Sequence, residues 1–474
     1  MPTPSFLPLS LAALMRLRAH GLPVALCLLL QACAITAVKP PEPVSPPAQF
    51  KEALPGAATT AVPDAWWTLF QDPVLDELEQ RVVLGNETLK ASVAQLAAAR
   101  ATLGASQSAA YPTLSAGLNG TRAYNAQSNA ADNPANSVSL SASASWELDL
   151  WGRLSLTTQG AQANVQASEA DLASARLSLQ ALLAQSYFSL RTAEVQQALL
   201  GRNVLSLQRT LELTRVRYQA GVVGLSDVLQ AQTQLGSAQT QLADSMAQRA
   251  QLEHALAVLL GQPPSGFSLR RTETLPAMVA VPASLPATLL ERRPDIAAAR
   301  ARVKAAYAQI GVTDAAFFPT LSLSATAGYN QSSLANLLSA PNLLWNLGAS
   351  LGQSILDGGV RQQASAQARA NADSVTASYR QLVLTALQEV EDNLVLAARL
   401  SDEVQSQTEA LQAARRNLEI VLEQYRAGTV SFLNVSAAQT AALSSEATLV
   451  TLRNRQLAAV NTLLKNIAGR WGAQ

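Results

Sequence analysis

Cysteine and histidine are nearly missing from this chain. Of its 474 residues two are Cys, at 27 and 33, and two are His, at 20 and 254. Three of these four lie within the first 33 positions, so the body that follows offers neither a His/Cys metal site nor a Cys/His nucleophile pair. His254 sits in a helical stretch, Gln251-Leu252-Glu253-His254, and reads as a helix-surface residue. No P-loop or Gly-rich nucleotide turn is present. Together these absences argue against an enzyme and against any metal or cofactor. Charge is scarce too: Asp, Glu, Lys and Arg make up 14% of the chain, where an ordinary soluble domain has roughly 25%. The formal net charge of +1 gives no reason to expect nucleic acid as a partner. Beyond the N-terminus there is no run of about 18 uncharged apolar residues, so a helical membrane span is not expected. A membrane protein of this composition would cross as strands.

In place of charge the chain carries Ala, Ser, Gln and Leu, a mixture suited to long helices in close contact. The N-terminus reads as an address and an anchor. Arg16 and Arg18 precede an apolar segment, Leu22 to Leu30, the pattern of a secretory signal, and Met15 is a candidate true start. The segment ends in Leu30-Gln31-Ala32-Cys33, which resembles a bacterial lipobox, although Gln31 is unusual there. The expectation is a signal peptide over 1–32, cleavage before Cys33, and acylation of that residue with palmitate-like chains. Each buried CH₂ of such chains contributes about 0.8 kcal/mol to membrane binding. By the same resemblance, Ala34 rather than Asp after the Cys favours sorting to the outer membrane. Residues 33–63 then form the anchor and an extended spacer, since Lys39-Pro40-Pro41-Glu42-Pro43-Val44-Ser45-Pro46-Pro47 cannot be helical.

The body is one unit written twice. Tyr111-Pro112-Thr113-Leu114-Ser115 recurs as Phe318-Pro319-Thr320-Leu321-Ser322, and Tyr218-Gln219-Ala220-Gly221 as Tyr425-Arg426-Ala427-Gly428, both offset by 207 residues. Asp149-Leu150-Trp151-Gly152-Arg153 is echoed by Asp357-Gly358-Gly359-Val360-Arg361. We assign repeat 1 to residues 64–262, a linker to 263–286 and repeat 2 to 287–474. Each repeat opens with a helical stretch, read as Val74–Ala110 in the first and about Pro294–Ala316 in the second, which an aromatic-Pro pair stops. Strands are expected at about 113–121, 138–149, 320–329 and 344–355, where apolar residues alternate with small polar ones. Leu140, Ala142, Ala144 and Trp146, for instance, alternate with Ser141, Ser143 and Ser145. One apolar and one polar face suit a barrel with lipid outside and water inside. Four strands are too few to close one, so several chains must share it. The helical stretches carry heptad-like spacing, as in Leu200, Val204, Leu207, Leu211 and Tyr218. The stretch from Ser155 to Tyr218 would span on the order of 90 Å.

With these residues in view, the chain resembles the TolC-like outer-membrane factor family, in its lipoprotein (NodT-type) branch. The resemblance covers nearly all of the mature chain. It rests on Asp64-Ala65-Trp66-Trp67-Thr68-Leu69-Phe70-Gln71-Asp72-Pro73, on Arg292-Arg293-Pro294-Asp295 opening the second repeat, and on the repeat ends Leu256–Gly261 and Leu463–Trp471. It implies an α+β membrane protein, a homotrimer in which each protomer gives four strands to a shared twelve-stranded transmembrane β-barrel, continued by a coiled-coil helical tunnel in the periplasm. The implied function is the outer-membrane channel of a tripartite efflux system, passive itself, served by a periplasmic adaptor (membrane fusion protein) and an inner-membrane pump of RND type. A duct for type I polypeptide secretion and, in a different class, a structural coiled-coil lipoprotein are the alternatives.

The resemblance also implies that the two repeat turns close the tunnel and meet the adaptor. The candidate gate and docking residues are Tyr218, Gly221 and Asp227 in the first turn, and Tyr425, Gly428 and Asn434 in the second. The same Tyr and Gly residues would equally end a coiled-coil seam and reverse the chain. Asp227 would equally cap a helix or complement its dipole. Val430 stands where the family has a basic latch residue, and Asn434 and Ala437 stand where several members have aspartates. Neither that salt link nor a carboxylate ring is therefore implied here.

Overall fold

The computed structural model describes residues 38–42, 50–52, 63–124, 134–279 and 293–467. Cys33 and the signal peptide lie outside these residues. The elements in chain order are α1 (Pro73–Gly85), α2 (Glu87–Ser108), β1 (Thr113–Ala123), β2 (Ala135–Leu148), α3 (Arg153–Gln219), α4 (Leu225–Leu259), α5 (Pro294–Ala315), β3 (Thr320–Gln331), β4 (Leu343–Gly352), α6 (Val360–Arg426) and α7 (Phe432–Ile467). No described helix is long and apolar enough to cross a membrane. The residues group into two compact units, and each draws on both repeats.

One unit holds residues 97–167 and 300–378. Its centre is an antiparallel sheet in the order β1-β2-β3-β4. Its register pairs like with like: Ala116 lies opposite Ala142 and Ala142 opposite Ala327, while Ser115 faces Ser143 and Ser143 faces Thr326. The two faces thus stay distinct over most of the sheet, with Leu344 opposite Gly328 on the polar face and Arg122 at the end of the apolar one as exceptions. Neither is covered: on the apolar face Leu114 is 78% exposed and Leu347 74%, and on the polar face Ser115 and Asn119 are exposed too. β1 and β4 have no further strand partner among the described residues. Two strand boundaries differ from the sequence expectation by three residues, the others by two or fewer. β2 starts at Ala135 because β1 runs on to Ala123 and pairs with it. β4 stops at Gly352 because its partner β3 begins at Thr320, directly opposite.

The recurring Asp-x-x-x-Arg signature turns out to start the long helices. The Asp149 carboxylate accepts from the amides of Leu154 (2.9 Å) and Ser155 (2.8 Å) and from the Ser155 hydroxyl (2.6 Å). Burial works to raise the pKa of Asp149, but these donors and nearby Arg153 hold it below the ordinary carboxylate value. Asp357 does the same for α6, accepting from the Gly359 amide at 3.0 Å and the Arg361 guanidinium at 2.5 Å. The two repeats interlock here. Trp151 donates its indole N–H to the Pro319 carbonyl and stacks on Phe318 with centroids 5.1 Å apart. Helices approach closely where residues are small: a side chain at Gly311 would meet Leu156 Cδ1 at 2.8 Å.

The other unit holds residues 43–96, 168–299 and 379–474. Its core gathers Trp66, Phe70, Leu75, Leu78, Tyr187, Phe188, Leu256, Leu457 and Leu464. The Trp66–Pro73 segment is a plug in this core. The Trp66 indole donates to Asn461 at 3.1 Å, and Asp72 caps α1 through the Val74 amide (2.9 Å) while accepting from the Tyr187 hydroxyl (2.6 Å). The helix read as continuous from Val74 to Ala110 is in fact two. Asn86 breaks it: its side-chain oxygen accepts from the Leu89 amide and its amide group donates to the Leu259 carbonyl. Arg293, from the motif opening repeat 2, bridges Asp295, Glu389 and Asn466. A buried network of Arg191, Glu194, Arg249 and Glu253 holds the chain after α4, where Glu194 accepts the Thr272 amide and Arg249 donates to the Leu269 carbonyl.

Candidate functional site at the two repeat turns

The turns between α3 and α4 and between α6 and α7 have the same backbone. Gly221 has φ +71° and Gly428 φ +78°, the left-handed conformation that favours glycine just past a helix end. The Val222 amide donates back to the Arg217 carbonyl at 2.9 Å, and the Thr429 amide to the Gln424 carbonyl at 3.0 Å. These are the bonds that close a helix C-terminus.

Their side chains part company. Tyr425 is fully buried, whereas Tyr218, its counterpart, is 43% exposed. The Tyr425 ring lies edge-on to Phe432 at 6.2 Å and within a cluster of Leu211, Val228 and Val435. Its hydroxyl pairs with that of Thr214 at 3.2 Å. Arg217 covers the other side, its guanidinium 4.4 Å from the ring centroid, and donates to the Tyr425 carbonyl. The first turn's tyrosine has no such enclosure. Val430 packs against the same apolar cluster, so the position where the resemblance has a basic residue serves hydrophobic packing instead.

Asp227 is not the cap of α4. That place belongs to Gly224, which contributes no side-chain hydrogen bond. Asp227 lies within the first turn, where unpaired backbone N–H groups favour a negative charge. In the second turn the Ser431 hydroxyl donates to Asn434 Oδ1 at 3.4 Å, and the Asn434 amide donates to the Ser431 carbonyl at 3.2 Å. The structure therefore brings Tyr425, Gly428 and Arg217 together and leaves Tyr218, Gly221 and Asn434 on the surface. Arg217, Thr214 and Phe432 escaped the sequence reading. One signal was there: Arg217 and Phe432 occupy positions where the other repeat has Gln424 and Leu225, breaks in symmetry inside otherwise matching turns.

A strand region with one apolar and one polar face, fed by paired long helices that end in tight turns, defines a membrane channel that crosses as β-strands and extends as helices. Comparison with known proteins agrees. The profile of the family described as "Outer membrane efflux protein" matches residues 78–262 and 285–469, once per repeat. The pyoverdine export outer membrane protein OpmQ of Pseudomonas aeruginosa is 30% identical over 464 residues, 94% of this chain and 96% of that protein. The cation efflux system protein CusC of Escherichia coli is 27% identical over 459 residues, 95% of this chain and 98% of its own. Among solved structures, the outer-membrane channel OprN superposes with a TM-score of 0.85 at 28% identity, over 92% of this chain and all of that one. The CusC channel superposes with a TM-score of 0.81 at 26% identity, over 91% and 99%. The chain belongs to the outer membrane efflux protein family. It is an outer-membrane channel component of an efflux system, built by internal duplication from strands and long helices.

Proposed function

We propose that the chain works as a homotrimer, three four-stranded sheets closing one barrel that passively conducts solute expelled from below. The observation that carries this reading is the sheet with two unpaired edges, β1 and β4, and two uncovered faces of opposite polarity. Four strands cannot enclose a pore, and unpaired peptide groups are not tolerated in hydrocarbon. Neighbouring copies pairing β1 to β4 would satisfy both constraints, and no catalytic step is needed. In this reading Cys33 carries the lipid that adds an anchor in the outer membrane. Tyr218, Gly221, Asp227, Tyr425, Gly428 and Asn434, joined by Arg217, form the periplasmic tip that closes the tunnel and receives the adaptor. The inner-membrane pump is of RND type. Relatives named for pyoverdine export, cation efflux and toluene efflux support cargo chosen by adaptor and pump rather than by the duct. The test is the mass of the purified protein in mild detergent together with single-channel recording in a planar bilayer. A trimer that conducts is the expected result; a monomer that never conducts would overturn it.

A further inference from the structure

The register of the sheet fixes which residues share its polar face, and that face is nearly without charge. In β2 every second residue from Ser137 to Ser145 is serine. Across the sheet the facing partners are Thr, Ser, Asn or Gly, as in Thr121 opposite Ser137 and Ser324 opposite Ser145. Among the residues of the four strands, Glu147 is the single formal charge on this face. Arg153 takes it in a fork, Nη2 lying 2.8 Å from both carboxylate oxygens and Nε 3.1 Å from one. Many hydroxyls are already committed to the sheet. Ser115 donates to the Ser143 carbonyl at 3.3 Å, Ser137 to Asn330 at 2.9 Å, and Ser143 pairs with Thr326 at 3.4 Å. Mid-sheet, Ser141 lies between Gly117 and Gly328, with Leu344 beyond Gly328 at the same level, so its hydroxyl is flanked on both neighbouring strands by residues without a side chain.

Pores that select ions by sign do so with rings of charged side chains or aligned carbonyls, whose field the low-dielectric wall concentrates. This face has neither. We propose that the barrel is a charge-neutral, hydroxyl-lined conduit that does not sort solutes by sign, so that the channel takes cationic, anionic and uncharged organic solutes alike. The proposal rests on the channel reading above, with the serine face turned to water.

Reversal potentials under a KCl gradient test it. The body after Cys33 has no cysteine, so assembled Ser141→Cys trimers can be labelled with membrane-impermeant thiol reagents of either sign. A serine-to-cysteine change alters size little, and labelling follows assembly, so folding is not at stake. We expect unlabelled channels with a K⁺/Cl⁻ permeability ratio within about twofold of one. The cationic label should shift it several-fold towards Cl⁻ and the anionic label as far towards K⁺. A ratio beyond about tenfold in unlabelled channels would overturn neutrality. Conducting channels that neither react nor shift would overturn the assignment of the serine face to the lumen. No conductance from any preparation would sink the channel reading and this proposal with it.

Discussion

Arg217 and Tyr425 stand 208 positions apart in sequence, yet the guanidinium of one lies over the ring of the other and bonds to its backbone carbonyl. A contact that joins the end of α3 to the end of α6 ties the two repeat turns into one object. Stacking of this kind contributes about 0.5–2 kcal/mol. Arg217→Ala should therefore raise the fraction of time the channel spends open by roughly 2- to 30-fold. Arg217→Lys should restore little, because an ammonium group offers no planar face. Single-channel open probability checks both; unchanged gating in Arg217→Ala would place the tip's closure elsewhere.

The two turn tyrosines should differ sharply in their contribution to stability. Truncating a fully buried aromatic costs about 3–5 kcal/mol, whereas an exposed one costs within about 0.5 kcal/mol. Tyr425→Ala should lower the thermal midpoint of the purified protein by several degrees, and Tyr218→Ala should leave it almost unmoved. Equal losses would contradict the asymmetric packing described above.

Glu79 gives a pH dependence. Its carboxyl is fully buried on α1 with no hydrogen-bond partner for either oxygen. Burial first, then the neighbouring Asp76 charge, push it up to about 9. In the unfolded chain it ionises near 4.5. Its contribution to stability is thus full below that pH and is lost as pH rises through about 9. Glu79→Gln should flatten this fall, so that its stability exceeds the parent's in alkaline buffer while the two converge in acid. Melting curves from pH 5 to 10 decide the matter.

Glu194 sits between Arg191 and Arg249 and also receives the Thr272 amide. Glu194→Gln would take the carboxylate from buried Arg191 and leave Arg249 with Glu253 alone, a loss on the order of 3–5 kcal/mol. The chain after α4 should loosen first. Amide exchange at residues 269–272 should quicken more than at the core around Trp66, and a uniform rise across both would argue against a local clamp.

Much of this was legible in the sequence because it depends on periodicity. Alternation in β2 and β3 needs only neighbours two residues apart, and the 207-residue offset survives any folding. The strand ends were less legible, since they depend on where a partner strand begins, as Thr320 decides for Gly352. The break at Asn86 needed knowledge of Leu259, 173 residues on. The same holds at the tip. Tyr218 and Tyr425 sit in near-identical motifs, and their surroundings, among them the distant Arg217 and Thr214 and the nearby Phe432, make one a core residue and the other a surface one. Asp227 looked like a cap because Asp caps well; Gly224 took the position through backbone shape alone.

The bare edges of β1 and β4 also govern how such a protein can be made. Each edge would carry a row of peptide groups with no donor or acceptor to meet them, and in hydrocarbon every one costs several kcal/mol. A solitary chain is therefore barred from the bilayer, however apolar its outer face. Insertion must wait for its siblings, which makes membrane entry cooperative in subunit concentration. Until then the sheet is a sticky template in an aqueous compartment, and a helper that masks its edges would find its client there.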